Sequence, residues 1–313
     1  MKLLLSFSAA ILFCSPIWAQ NSTVKQKSAN EPQSRTINAV QLVRDDETLS
    51  ADAMEGRGTG TAGGIKAREY VAERFKASGV KMFGDSYFQP FEFTNRAKTK
   101  IDGANVAGFI EGKKLKDRYI VVSAHYDHLG IVKGEIYNGA DDDASGVAAL
   151  FAVAEFFRNN KPAHTIIFVA FDGEESGLRG SRSFVEKPPV AKEKIVLNIN
   201  MDMVAHNDIN ELYASGTYHY SQLKSPLEQV AKTARVKLIL GHDRPEQKEN
   251  DWTNQSDHFS FHQQKIPFVY FGVEDHQDYH RSTDDFVNIN QEFYVRAVET
   301  ILEAVKSFDK DLK

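Results

Sequence analysis

"TIIFVAFDGEESGLRGSRSF", residues 165–184, decides the fold. From Ile166 to Phe171 no polar side chain interrupts the run. A short, continuously apolar run of this kind reads as a strand covered on both faces. The chain then turns through Asp172 and Gly173 and places two carboxylates side by side, Glu174 and Glu175. Beyond them, over about 177–186, the spacing predicts a helix. A buried strand that hands acidic residues to a strand-to-helix turn is the unit from which α/β sheets are built.

Working outward, the same unit recurs. Strand-like runs begin at Asn105 (NVAGFIEG), Tyr119 (YIVVSAHYD), Ile195 (IVLNINMDMV) and Pro267 (PFVYFGV). Helical spacing covers 64–78, where Gly79 is a natural stop, then 144–158, 219–234 and 290–308. The alternation predicts a three-layer α/β/α sandwich around a central, mostly parallel but mixed sheet. In such sheets, functional groups gather beyond the carboxyl ends of the strands. His125 and Asp127 close one run, Asp172, Glu174 and Glu175 another, and Asp202 a third, while Asp141, Asp142 and Asp143 lead into the helix near 144. The polar residues of interest therefore share one predicted edge.

Carboxylates crowded at one edge repel each other, so either their pKa values rise or a cation neutralises them. A divalent metal resolves the conflict, and nearby histidines then become intelligible as nitrogen ligands. A mixed histidine and carboxylate set favours zinc, with manganese or cobalt as other candidates. His125 and Asp127, two apart in "SAHYDHLG" (123–130), project to one face of an extended strand. His125 is then a ligand through one ring nitrogen while the Asp127 carboxylate accepts from the other. Alone, that spacing suits a core histidine equally well, and His128 reads as a loop residue. Glu174 and Glu175 point in different directions, one toward a metal and one toward a water as general base. Asp202, embedded in an apolar run, is costly without a partner. His276 and His280 in "EDHQDYHRSTDD" (274–285) compete, and spacing does not choose between them.

The chain has 313 residues, is 42% hydrophobic and carries a formal charge of -5, which argues against nucleic acid as a partner. Its beginning, "MKLLLSFSAAILFCSPIWAQ", has Lys2 as a positive n-region, an apolar stretch over 3–14 and Ala19 before a cleavage point. That reads as a secretory signal over 1–19, hence an exported protein, periplasmic or extracellular, with no stable membrane span after cleavage. Cleavage would remove Cys14, the single cysteine, and with it any disulfide or thiolate site. Residues 20–35 read as a flexible polar lead-in. One folded domain is expected over 36–313.

Taken together, SAHYDHLG, NGADDDASGVAAL, FDGEESGLRGS, NMDM, SDHFSF and YHRSTDD, in that order, resemble the co-catalytic di-zinc aminopeptidase family, the twenty-eighth metallopeptidase family. An upstream piece, "LSADAMEGRGTGTAGGIKAREYVAERF" (49–75), is similar too, so the resemblance covers nearly all of 40–308. It implies two zinc ions per chain. His125 and Asp202 look like ligands of one, Glu175 and His280 of the other, and Asp142 like the carboxylate that bridges both. Glu174 matches the general base and Asp127 the partner of His125. A cis peptide after Asp142 is also implied. The activity implied is that of a zinc-dependent exopeptidase, hydrolysing the N-terminal peptide bond of peptides with a free N-terminus through a bridging water. Alternatives are a glutaminyl cyclase of the same fold or a non-catalytic metal-binding protein. One departure concerns a tyrosine that some relatives carry shortly before the SDH motif to stabilise the oxyanion. Here the stretch is "DWTNQSDHF" (251–259), with Trp252 and Thr253 nearby.

Overall fold

The computed structural model describes residues 33–312. Its strands are β1 (Lys81–Met82), β2 (Phe88–Thr94), β3 (Lys100–Ile110), β4 (Leu115–His125), β5 (Gly130–Val132), β6 (Glu135–Tyr137), β7 (His164–Phe171), β8 (Ile195–Met201), β9 (Glu211–Ser215), β10 (Lys237–Leu240) and β11 (Phe268–Gly272). Its α-helices are α1 (Ala39–Leu49), α2 (Ala62–Ala77), α3 (Gly146–Asn159), α4 (Arg179–Glu186), α5 (Lys224–Ala231), α6 (His258–Gln263) and α7 (Gln291–Asp311).

The long apolar runs form the centre of a nine-stranded sheet, where β7, β4, β8 and β11 lie side by side and parallel. Every residue of β7 is buried. Its alternate side chains enter two separate cores. Ile166, Phe168 and Ala170 face a layer that includes α1, α2, α3, α5 and α7, while Ile167, Val169 and Phe171 face α4 and α6. Period-two alternation with apolar residues on both faces is the physical reason the run lacks a polar break. Toward the edges the pairing is mixed: β3 pairs β7, β1 and β2 pair β3, and β9 pairs β11, all antiparallel, while β10 at one edge pairs β9 in parallel. This is the mixed three-layer sandwich the alternation predicts.

Polar residues inside the central strands satisfy one another. Asn198 of β8 donates to Ser123 Oγ at 2.8 Å, Ser123 donates to Asn200 at 2.7 Å, and Asn200 donates to Ser256 at 2.9 Å. The parallel register brings His125 opposite Phe171, and Met201 opposite Phe271. The residues just past these ends therefore emerge at one edge.

Some boundaries differ from the sequence expectation. The helix expected over 219–234 is a 3-10 turn at Ser221–Leu223 followed by the shorter α5. Pro226 has no N–H to give a preceding turn, so it fits only the first turn of a helix. The helix expected from 144 begins at Gly146, because Asp142 and Asp143 have non-helical backbone angles. The expected signal segment 1–19 and residues 20–32 of the expected lead-in lie outside the described residues. At the end of that lead-in, Ser34 Oγ donates to Glu299 of α7 at 2.6 Å. No helix among the described residues is long and apolar enough to cross a membrane.

Candidate metal centre

The site grows from the carboxyl ends of β4, β7 and β8 and from the loop before α3. β4 ends on His125, β7 is followed by Glu174 and Glu175, and β8 by Asp202. The three adjacent aspartates divide their tasks. Asp141 accepts the Ala205 N–H at 2.6 Å and faces His276 Nε2 at 3.1 Å. Asp143 accepts N–H groups from His125, Gly146 and Met203. Both carboxylates thus hold backbone. Asp142 alone turns into the site, and its N–H and that of Asp141 are held by the Asp284 carboxylate at 3.0 and 2.9 Å. The Asp142–Asp143 peptide is cis.

Around Asp142 the candidate ligand atoms converge in two groups. His125 Nε2 lies 3.3 Å from Asp142 Oδ1 and 3.5 Å from Asp202 Oδ1. On the other side, His280 Nε2 lies 3.2 Å from Asp142 Oδ2 and 3.4 Å from Glu175 Oε2. His128 Nδ1 joins this second group, 2.8 Å from Glu175 Oε1 and 3.7 Å from Asp142 Oδ2. The sets His125, Asp142, Asp202 and His128, Asp142, Glu175 each gather ligand atoms within 4.8 Å of one another. His276 belongs elsewhere, against Asp141 and stacked on His206 at 3.9 Å. The geometry thus makes the choice that spacing left open, bringing His280 rather than His276 to Asp142.

The electrostatics are those of a site short of positive charge. Burial would raise the Asp142 carboxyl, but His128, His125 and His280 hold it well below its ordinary value. Burial pushes Asp202 up, opposed by His125 and reinforced by Asp142. Glu174 is raised well above its ordinary value by burial, with Asp257, Asp202 and Glu175 adding to the effect against His125. Burial lowers His280, yet its bonds to Asp142 and Glu175 outweigh that and raise it to about 10. Glu175 Oε1 and both ring nitrogens of His128 are buried without a hydrogen-bond partner among the described residues. Unpartnered donors and acceptors are costly in a protein interior, and a shared cation would satisfy them. The donor set, imidazole nitrogen with carboxylate oxygen, fits zinc.

One expected contact takes a different form. His125 Nδ1 lies 3.0 Å from the main-chain oxygen of Asp127 and 3.7 Å from its carboxylate. The strand ends at His125, so Asp127 does not continue its face. Its carboxylate instead accepts the N–H groups of Glu174 at 3.0 Å and Glu175 at 3.3 Å.

Two residues outside the predicted set shape the centre. His128, read as a loop residue, is on a loop but fully enclosed. Arg57 is fully buried, and its guanidinium donates to the carbonyls of Tyr126, Leu49, Asn138, Gly139 and Asp142. No local pattern reveals such a residue, because its acceptors are spread from 49 to 142.

The centre forms one wall of a cleft of about 570 Å³. Glu174 lines it beside His125, Asp142, Glu175, Asp202 and His280, with Trp252, Phe259, Val273 and Tyr279 as apolar walls and Arg182 on its lining. From the segment before the SDH motif, Trp252, Asn254 and Gln255 reach the cleft, whereas Thr253 Oγ1 is bonded to Asp251. Tyrosines enter from other elements, as Tyr270 and Tyr279.

Residues 105–305 match the model of Peptidase family M28. Aminopeptidase YwaD of Bacillus subtilis (strain 168) is 27% identical over 239 residues, 71% of this chain and 49% of that protein. A probable zinc metalloprotease of Pyrenophora teres f. teres (strain 0-1) is 28% identical over 214 residues, 63% of this chain and 43% of the relative. The chain thus spans about half the length of these curated relatives, or less. In fold it is similar to a zinc aminopeptidase from Bacillus subtilis, with a TM-score of 0.72 at 17% identity over 87% of this chain and 96% of the other. It is also similar to Porphyromonas gingivalis glutaminyl cyclase, with a TM-score of 0.70 at 18% identity over 87% and 99% of the two chains. The matched stretch runs from β3 into α7 and contains every residue gathered around Asp142, and on that match the chain belongs to peptidase family M28.

Proposed function

We propose that this chain is an exported zinc-dependent aminopeptidase, with one catalytic domain over 36–313, that removes residues from peptides with a free N-terminus. The observation that carries the reading is the meeting of two ligand groups on one carboxylate, Asp142. His125, Asp142 and Asp202 would hold one zinc ion, and Asp142, Glu175 and His280 a second. When bound, such ions lower the pKa of water and polarise a carbonyl. The rest of the chemistry falls to the protein.

Glu174 is the general base: it takes the proton of the attacking water and returns it to the leaving amine. Its backbone and that of Glu175 are tied to one carboxylate, Asp127, which fixes the base relative to the ligand beside it. The apolar walls of the cleft receive a substrate side chain, and the acidic wall suits a protonated amino terminus. The aminopeptidase activity named for Bacillus subtilis YwaD supports this reaction class. The apolar stretch after Lys2 supports export.

The test is hydrolysis of a panel of aminoacyl-anilides by the purified protein, with chelation and zinc add-back. Activity lost on chelation and restored by zinc is the expected result. Zinc-loaded protein that is inert across the panel, or activity indifferent to chelation, contradicts the proposal. Cyclisation of N-terminal glutamine by protein holding a single ion would instead assign the site to the cyclase reaction.

A further inference from the structure

We propose that the groove between α4 and the turn joining β2 to β3 seats the part of a peptide that follows the bond cut, and that Arg182 and Arg96 there select peptides carrying a carboxylate. The inference rests on the aminopeptidase reading above and adds a substrate class to it.

The cleft beside Glu174 opens into a second hollow of about 670 Å³. Gly177 and Arg182 line both, and Phe93, Arg96 and Arg179 line the second. Three arginines thus border one space. The one carboxylate on its lining, Glu175, is turned to His128 and His280, at 2.8 and 3.4 Å. Arg179 is committed: its Nε donates to the Ser176 carbonyl at 3.0 Å, and its guanidinium lies over the Phe93 ring at 5.4 Å. Arg182 and Arg96 are not. Among the described residues neither guanidinium has a hydrogen bond, ion pair or ring contact. Even Glu186, four residues along α4, forms no pair with Arg182. Like charges gathered without a counter-charge repel, and an anion resolves the conflict. The planar fork of a guanidinium fits the two oxygens of a carboxylate.

Position relative to the reaction decides which carboxylate this is. An aminopeptidase cuts after one residue, so only that residue lies on the amino side of the bond. In the proposed function its amine meets the acidic wall of the cleft and its side chain the apolar walls. A groove that leaves the cleft past Gly177 therefore follows the rest of the chain. Its carboxylate is the C-terminus of a short peptide or an Asp or Glu side chain of a longer one. Arg179 and Arg182, three apart on α4, share one face of that helix. The turn carrying Arg96 is pinned, because Asn95 Oδ1 accepts the Thr99 N–H at 2.9 Å.

The experiment measures kcat/KM of zinc-loaded protein on matched peptides whose N-terminal residue, X, comes from the best anilide of the panel. X-Gly-Gly against its C-terminal amide tests a terminal carboxylate. X-Glu-Gly-amide against X-Gln-Gly-amide tests a side-chain one. Wild type, Arg182→Ala, Arg182→Lys and Arg96→Ala are compared at low and high salt. At least one pair should show a preference of about 10-fold for its charged member, carried by KM and shrinking with salt. That preference should vanish in Arg182→Ala, weaken in Arg96→Ala and return only in part in Arg182→Lys. The pair that shows it identifies the source of the carboxylate. Wild type that cleaves the anilides yet treats both members of each pair alike overturns the inference and leaves the proposed function intact. So does Arg182→Ala that keeps the wild-type preference. Wild type inert on anilides and peptides alike overturns both.

Discussion

Asp141, Asp142 and Asp143 stand side by side yet have three different surroundings, because each step of an irregular backbone turns a side chain into a new environment. Two of them accept backbone N–H groups and only Asp142 meets the imidazoles. The same economy applies to Asp127, whose carboxylate grips the N–H groups of Glu174 and Glu175. Asp127→Asn keeps an acceptor oxygen but loses the charge and one lone-pair face. Partners of this kind around a metal centre typically contribute about 10–100-fold. The variant should lose that much in kcat with its zinc content unchanged, as steady-state kinetics alongside metal analysis would reveal. Glu174→Gln should retain zinc and lose at least about 100-fold in turnover; near-normal turnover would remove Glu174 as the base. At this scale the sequence was informative about identity and poor about partners. Asp127 was legible as a residue of the site, but its contact to two N–H groups 47 and 48 residues away was not. His128 escaped because a histidine at the end of a glycine-bounded loop carries no local sign of burial.

Elements matter through their ends. β4, β7 and β8 are parallel and in register, so residues just past their carboxyl ends share an edge whatever their distance in the chain. That was readable, since continuous apolar runs mark strands buried on both faces. Less readable was α1, whose sequence AVQLVRDDETL buries Asp45 and Asp46. Asp45 is buried because Arg74 of α2 donates to it at 2.8 Å through each of Nε and Nη2 and Tyr70 donates to it at 2.6 Å, partners that periodicity does not display. A similar anchor ties α7 to the start of β7: Asp309 accepts the N–H groups of Ala163 and His164, each at 2.7 Å. Burial would raise its carboxyl, but His164 and these N–H groups hold it below the ordinary carboxylate value. A folded-state pKa below the unfolded one gives stability that is present above about pH 4 and lost as the pH falls through the folded value. Asp309→Asn should therefore cost about 1–3 kcal/mol at neutral pH. The difference from wild type should shrink in acid, as denaturant melts across that range would record.

For the whole molecule, Arg57 is the tie that joins regions distant in sequence. Its guanidinium spans the end of α1 at Leu49, the loop after β4 at Tyr126 and the loop carrying Asp142. Burial lowers its pKa, and the charges of Asp142, Asp284 and Asp46 oppose that. Removing one member of such a buried network costs about 3–5 kcal/mol. Arg57→Met should lower the unfolding free energy by that order, and Arg57→Lys should recover only part of it, because an ammonium cannot reproduce the planar fork. The fold was thus legible down to its layers and its active edge, whereas the fastenings that hold the edge in shape were not. They are single polar residues meeting carbonyls across the chain, with no spacing of their own.

The proposed pair of cations would be held around Asp142. Anomalous diffraction at the zinc absorption edge, from crystals of zinc-loaded protein, locates such ions directly. Two peaks are predicted, one between His125, Asp142 and Asp202 and one between Asp142, Glu175 and His280. Zinc-loaded crystals with no peak at either position would contradict the account.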